Sequence, residues 1–118
     1  MNVRPHWIND QIAVNGQIGP ENVDQIKKLG FKSIICNRPD YENDSSQPTF
    51  KSIHTQAETL DLESKFLPVS SNNQTKENAK QMSDLLNDLP KPIFVYCRTG
   101  GRSASLIGLS VHLGMFNI

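Results

Sequence analysis

Cysteine and long apolar segments are scarce in this sequence, which restricts the class of protein. Cys36 and Cys97 are the only cysteines among 118 residues, too few for a disulfide scaffold, so we expect two free thiols in a reducing compartment. No run approaches the roughly 18 apolar residues of a membrane span, and the N-terminus lacks the apolar stretch of a secretion signal. These features predict a cytoplasmic protein that does not act at a membrane.

An excess of positive charge is also absent. Lys and Arg number 12, as do Asp and Glu, so the formal net charge is zero. Nucleic-acid-binding domains normally carry a basic excess, and we therefore expect no nucleic-acid partner. His6, His54 and His112 lack the spacing of metal ligands, so we expect neither a metal nor another cofactor.

The composition that remains is that of one globular α/β domain covering residues 1–118. Short apolar runs predict strands at 6–8, 11–14, 31–36, 66–69 and 93–96, and amphipathic stretches predict helices that begin near Pro20, Pro48, Thr75 and Ser103. This alternation favours a central, mostly parallel sheet of four to five strands flanked by helices. Ligands of such sheets bind beyond the carboxyl ends of the strands, here at residues 37–40, 70–74 and 97–102.

The segment from 93 to 103 carries the clearest chemical signal. It runs from a buried strand through Cys97 and a glycine-containing loop to Arg102 at a helix start. Gly100 and Gly101 allow backbone N–H groups to converge on an anion, and the helix N-terminus adds positive charge. Arg102 offers a bidentate fork to an oxyanion and Arg98 a second charge, so the pKa of the Cys97 thiol is expected to fall.

A thiolate in such an anion-binding loop is typical of a nucleophile that forms a covalent intermediate. The first alternative is that Cys97 is an unreactive buried cysteine at a strand end, followed by an ordinary turn. The order of strand, Cys, two Gly, Arg and helix disfavours this alternative. A second alternative is a non-catalytic oxyanion-binding or redox-sensing module, in which the thiol keeps a pKa near ~8.5.

Four segments resemble one known family. They are Asn-Gly-Gln at 15–17, Ile-Ile-Cys-Asn-Arg-Pro-Asp at 34–40, Ser-Gln-Pro at 46–48, and Tyr-Cys-Arg-Thr-Gly-Gly-Arg-Ser at 96–103. The chain resembles the phosphatase-like domain that occurs alone or fused to β-lactamase-fold hydrolases, a relative of the protein tyrosine and dual-specificity phosphatases. The resemblance implies a compact tyrosine-phosphatase-like fold, a small oxyanion or phosphorylated substrate, and a β-lactamase-fold hydrolase as fusion or pathway partner.

The resemblance also assigns roles to individual residues. It implies Cys97 as the nucleophile that forms phosphocysteine and Arg102 as the binder of the phosphoryl oxygens. The oxyanion-binding loop then comprises Arg98, Thr99, Gly100, Gly101 and Ser103, with Asn37 and Arg38 at the rim of the pocket.

Two departures from the phosphatase pattern keep another chemistry open. Four residues separate Cys97 from Arg102, whereas phosphatases of the wider superfamily have five and rhodanese-type sulfurtransferases have the shorter loop. Residues 69–75, which match the loop of the phosphatase general acid, contain no carboxylate. Asp40 is the best substitute acid, with Glu77 behind it, although Asp40 also suits a turn after Pro39. A sulfurtransferase carrying a persulfide on Cys97 needs no such acid.

Two further expectations concern Cys36 and the end of the chain. If the strands before Cys36 and Cys97 are neighbours, Cys36 is either a resolving thiol for Cys97 or, as we favour, a buried structural residue. The family leads us to expect a further helical segment after Ile118, so the chain is either a short member or part of a longer one. The sequence predicts no oligomeric state.

Overall fold

A computed structural model describes residues 3–118 and has a five-stranded, mostly parallel sheet. The strands are β1 (His6–Trp7), β2 (Ile12–Asn15), β3 (Ser33–Cys36), β4 (Glu63–Phe66) and β5 (Ile93–Tyr96). Their order across the sheet is β1-β2-β5-β3-β4, with β1 antiparallel to β2 and every other pair parallel. The predicted α/β class and the mostly parallel sheet are confirmed.

Among residues 3–118, three helices connect the strands and a fourth follows β5, and polar caps start two of the four. They are α1 (Val23–Lys28), α2 (Phe50–Thr59), α3 (Lys76–Asp88) and α4 (Gly101–His112); a 3₁₀ turn over Pro20–Asn22 leads into α1. The hydroxyl oxygens of Thr49 and Thr75 accept hydrogen bonds from the N–H groups of Ser52 and Asn78 at 3.2 and 3.1 Å. Such caps satisfy N–H groups that a helix leaves unpaired in its first turn.

The sheet separates two apolar layers because side chains alternate along each strand. On one face, Phe94 and Tyr96 of β5 pack in a cluster with residues of α1 and α2. On the other face, Ile93 and Val95 pack with residues of α3 and α4. β5 is buried on both faces because it is the central strand, as its unbroken apolar run predicts.

The predicted strand at 66–69 is wrong by three residues, since β4 covers Glu63–Phe66. The apolar residues Leu67 and Val69 are buried, but they lie beyond the end of β3 and bond to the carbonyls of Cys36 and Asn37. Pro68 between them has no N–H and interrupts the ladder. The true strand is a polar edge strand in which only Ser64 is buried, so it lacks the apolar run that the prediction used.

None of the helices among residues 3–118 combines the length and the apolar character that crossing a bilayer requires.

Candidate active site

The loops that follow β3, β4 and β5 meet at one edge of the sheet. The N–H of Asn37 donates to the Tyr96 carbonyl at 2.9 Å, and the N–H of Val69 donates to the Asn37 carbonyl at 3.0 Å. These bonds continue the parallel ladder past the strand ends, so the three loops are held side by side. The edge is the one at which doubly wound sheets bind ligands.

Cys97 lies at this edge, at the base of an open cavity of about 390 Å³. Cys97 lines this cavity, although its side chain is buried. The residues that line the cavity besides Cys97 come from the second and third loops and the first turns of α4: Ser71, Gln74, Arg98, Thr99, Gly101, Arg102 and Ser105.

The loop after Cys97 folds back so that its backbone faces the thiol. The N–H of Gly100 donates to Cys97 Sγ at 3.1 Å. Gly100 has φ +97°, in the left-handed region that residues with a side chain avoid. Gly16 lies against the outside of this loop, where a Cβ would stand 3.1 Å from the Arg98 carbonyl oxygen. That carbonyl accepts from the N–H of Gln17 at 3.1 Å, which fixes the loop to the segment after β2.

This environment lowers the pKa of the Cys97 thiol below its ordinary value. Burial opposes ionisation, but it is outweighed by hydrogen bonds from the backbone and side chain of Ser103 and from the N–H groups of Thr99 and Gly100. Each bond stabilises the thiolate more than the thiol. A cysteine activated in this way is suited to nucleophilic attack near neutral pH.

Arg102, in the first turn of α4, lines the cavity and is held by two partners. Its Nη1 donates to the Val69 carbonyl at 3.0 Å, and its Nη2 donates to Glu42 Oε1 at 3.0 Å. The Arg102 Nε is buried and has no acceptor among residues 3–118. The two Nη atoms hold the guanidinium in place, and the Nε–H has no protein acceptor in the described part of the chain. This arrangement is suited to binding an oxyanion.

Sequence analysis missed Glu42, which forms ion pairs with two arginines. Its Oε2 lies 2.9 Å from Arg102 Nη1 and its Oε1 lies 3.2 Å from Arg38 Nε. The hydrogen bond and charge of Arg102, together with those of Arg38, hold the pKa of Glu42 below its usual range. The only signal in the sequence was its place four residues after Arg38.

The two residues predicted at the pocket rim are both buried. Asn37 has no exposure; its Oδ1 accepts from Ser103 Oγ at 2.8 Å and its Nδ2 donates to the Leu67 carbonyl at 3.0 Å. Arg38 is 7% exposed and donates to Gln17 Oε1 at 3.1 Å as well as to Glu42. Both therefore support the loops from beneath instead of lining the cavity.

Asp40 and Cys36 lie near the site but are engaged elsewhere. Asp40 Oδ1 accepts from the N–H of Phe50 at 2.9 Å, which places this carboxylate at the start of α2. Cys36 ends β3, beside β5, and its Sγ donates to the Arg38 carbonyl at 3.3 Å. Burial raises the pKa of the Cys36 thiol to about 11, so this cysteine is protonated where Cys97 ionises.

Comparison with known proteins gives one family. The sequence model of the "Beta-lactamase hydrolase-like protein, phosphatase-like domain" family matches residues 5–113. The Beta-lactamase hydrolase-like protein of Agrobacterium fabrum is 28% identical over 99 residues, which are 84% of this chain and 23% of that protein. The chain thus spans about a quarter of the length of the curated relatives that it matches.

Solved structures of phosphatases superpose on this chain, which confirms the predicted tyrosine-phosphatase-like fold. A proposed phosphatase from Neisseria meningitidis is 31% identical and superposes with a TM-score of 0.79, covering 86% of this chain and 72% of that one. A proposed phosphatase of the DUF442 group from Shewanella putrefaciens is 16% identical with a TM-score of 0.79, covering 96% and 71%, and shows the shared fold.

Proposed function

Because this chain belongs to the phosphatase-like domain family of beta-lactamase hydrolase-like proteins, we propose that it is a cysteine-dependent phosphatase whose nucleophile is Cys97. The Cys97 thiolate attacks phosphorus and the bond to the leaving oxygen breaks, which gives phosphocysteine. A water molecule then hydrolyses phosphocysteine to inorganic phosphate and restores the thiolate. The substrate is a phosphate compound small enough to enter a cavity of about 390 Å³.

In this mechanism the phosphoryl oxygens are bound by the loop and by Arg102. The N–H groups of residues 98–102 and the Arg102 guanidinium face the charge that develops on these oxygens in the transition state. Glu42 and the Val69 carbonyl hold the guanidinium in place before substrate arrives, so little reorganisation is needed.

The observation that supports this proposal best is the hydrogen bond from the Gly100 N–H to Cys97 Sγ at 3.1 Å. A merely structural cysteine in an apolar interior has a raised pKa, as Cys36 does. Cys97 is as buried as Cys36, yet its pKa is lowered. Burial outweighs the hydrogen bonds at Cys36, whereas at Cys97 the hydrogen bonds of the loop outweigh burial, so the pKa values of the two thiols shift in opposite directions.

Substitution of Cys97 tests the proposal. Cys97→Ser is expected to abolish phosphate release from 4-nitrophenyl phosphate while vanadate or phosphate still binds, because the loop donors and Arg102 remain. Cys36→Ser is the matched control and is expected to retain turnover. Full activity of Cys97→Ser would contradict the proposal.

A sulfurtransferase is the second candidate, and the four-residue interval between Cys97 and Arg102 is the observation that favours it. In that reaction Cys97 takes the outer sulfur of thiosulfate, sulfite leaves, and a thiol or cyanide accepts the sulfur. Thiocyanate formation from thiosulfate and cyanide that requires Cys97, without phosphate release from 4-nitrophenyl phosphate, would establish this function in place of the first.

We further propose a reducing, cytoplasmic location and a β-lactamase-fold hydrolase as the partner. Both cysteines are free in the structure, and the thiolate chemistry of Cys97 depends on its staying reduced. The partner is proposed because the curated relatives are about four times as long as the matched region and carry the hydrolase-like name. Co-purification with such a hydrolase is the corresponding test.

A further inference from the structure

The outer wall of the cavity, beyond Cys97, is polar and carries an unpaired positive charge. Ser71, Gln74 and Ser105 supply hydroxyl and amide groups to this wall, and Arg98 supplies a guanidinium. Arg98 is exposed and forms no ion pair with a carboxylate of residues 3–118. When the Asn43 amide is oriented to satisfy its neighbours, its oxygen accepts from Arg98 Nε and Nη1 at 3.2 and 3.3 Å. That neutral contact leaves the charge of Arg98 uncompensated.

The carboxylates of Asp40 and Glu42 lie in and just after the loop that follows β3, and both already accept hydrogen bonds. Asp40 accepts from the Phe50 N–H, and Glu42 binds Arg102 and Arg38. The arginines keep the pKa of Glu42 low, so this group is ionised near neutral pH and has no proton to give. A leaving oxygen in the cavity faces hydroxyls, an amide and a guanidinium instead.

We propose that the site acts on phosphoanhydrides, transferring the terminal phosphoryl group to Cys97 while Arg98 binds the second phosphate as it leaves. This inference rests on the proposed phosphatase function and specifies its substrate class. A phosphate monoester has a second pKa of about 6, so it departs as a stable anion without receiving a proton. An aliphatic alkoxide resembles hydroxide, whose parent water has a pKa of about 15.7, and needs a general acid.

The reaction balances without a further reactant. Cys97 Sγ forms a bond to the terminal phosphorus, and the bond from that phosphorus to the bridging oxygen breaks. The bonding electrons stay with the bridging oxygen, which becomes part of the departing phosphate. Water hydrolyses the phosphocysteine, and the products are inorganic phosphate and the shortened phosphate compound.

Comparison of three substrates tests the inference on the intact chain. We expect phosphate release from inorganic diphosphate and from 4-nitrophenyl phosphate, both abolished by Cys97→Ser. The kcat/KM for glycerol 3-phosphate should be at least about 100-fold lower than for the other two substrates. This factor is the lower end of what a general acid normally contributes.

The three substrates separate failure of the inference from failure of the function. Similar kcat/KM values for glycerol 3-phosphate and the two activated substrates would overturn the inference and leave the phosphatase standing. Hydrolysis of 4-nitrophenyl phosphate without hydrolysis of diphosphate would do the same. No Cys97-dependent hydrolysis of any of the three would refute the proposed function itself.

Arg98→Gln tests the second phosphate directly. We expect it to lower kcat/KM for diphosphate about tenfold more than for 4-nitrophenyl phosphate, the loss of one charge-assisted hydrogen bond. Lys32→Gln removes the same charge from an exposed side chain just before β3, at the opposite end of the sheet, and should change the ratio of the two values little. Equal losses for both substrates in Arg98→Gln would assign Arg98 to the transferred phosphoryl group and overturn its role with the second phosphate.

Discussion

At the scale of single residues, the two cysteines show how local hydrogen bonding decides reactivity. Both are buried at the ends of adjacent parallel strands. The sulfur of Cys36 donates to the Arg38 carbonyl, and burial raises its pKa by more than its hydrogen bonds with Tyr96 and Arg38 lower it. The sulfur of Cys97 accepts from backbone N–H groups, which stabilise the thiolate enough to overcome burial.

Alkylation by iodoacetamide at different pH values tests this difference. Because the pKa of Cys97 is lowered, its alkylation rate should rise with pH and reach its plateau below the range of an ordinary thiol, while Cys36 stays unreactive to about pH 9. Ser103→Ala removes the hydroxyl, whose one proton is shared between Asn37 Oδ1 and the thiolate, and should raise the midpoint for Cys97 by less than about one pH unit. A midpoint for the unaltered protein at or above ~8.5 would contradict the assignment of Cys97 as an activated thiol.

At the scale of elements, the junction of β5 and α4 contains two adjacent glycines, and the backbone requires glycine only at the first. Gly100 has φ +97°, and a Cβ there would stand 3.4 Å from the carbonyl carbon of Asn15. Gly101 begins α4, and a Cβ there would meet only Thr99 Oγ1 at 3.7 Å. The left-handed backbone of the loop therefore requires glycine at position 100, whereas position 101 has room for an alanine side chain.

Alanine substitutions at the two positions test whether only Gly100 is required. Gly100→Ala should lower the free energy of unfolding by about 1–2 kcal/mol, the cost of left-handed backbone in a residue with a side chain. Gly101→Ala should leave the free energy of unfolding unchanged or slightly raise it, because alanine favours helix over glycine. Urea denaturation followed by circular dichroism measures both, and equal losses in the two variants would show that the left-handed angle is not what requires glycine.

A Ser-His-Glu cluster joins two other elements, α2 and β4. His54 Nδ1 contacts Ser64 Oγ, and His54 Nε2 lies 2.7 Å from Glu58 Oε1. The residue types match those of a hydrolase triad, but Ser64 is 6% exposed and faces the interior from the edge strand. The contact between His54 and Ser64 joins the helix to the strand.

At the scale of the whole molecule, Glu42 joins segments that are far apart in the sequence. It contacts Arg102, sixty residues away, and through Arg38 it is linked to Gln17. The loops after β2, β3 and β5 are thereby tied together around Cys97, and the Val69 carbonyl adds the loop after β4. The position of the guanidinium thus depends on the assembled sheet.

Glu42→Gln tests this dependence. Loss of the ion pairs should lower kcat/KM for 4-nitrophenyl phosphate about tenfold or more, since Arg102 is no longer held at the transition state. Asp84→Asn removes a carboxylate from the exposed Lys80–Asp84 pair and should change activity little. Higher activity in Glu42→Gln would mean that the carboxylate competes with substrate for Arg102 instead of positioning it.

The lowered pKa of Glu42 adds a pH dependence with a definite sign. The carboxylate is ionised, and the ion pairs are intact, at every pH above its ordinary value near 4.5. Activity that depends on Arg102 is therefore lost only as the pH falls below that value. The Glu42→Gln variant should lack this acid loss, as a pH profile of kcat/KM would reveal.

The sequence by itself determined the α/β class, the central strand Ile93–Tyr96 and the candidate loop after it. These follow from local signals: a continuous apolar run, two glycines and an arginine at the start of a helix. The same local signals misplaced β4, because Glu63–Phe66 is polar and becomes a strand only through pairing with β3.

The tertiary structure alone decided the partners of the site residues. Glu42 reaches Arg102, and Asn37 reaches Ser103, only after the parallel strands align their carboxyl ends. No spacing in the chain encodes these contacts, because residues 60 or 66 positions apart are brought together by strand order and register. The sequence thus predicts Cys97 as the candidate nucleophile, and the assembled sheet supplied the residues that hold its surroundings in place.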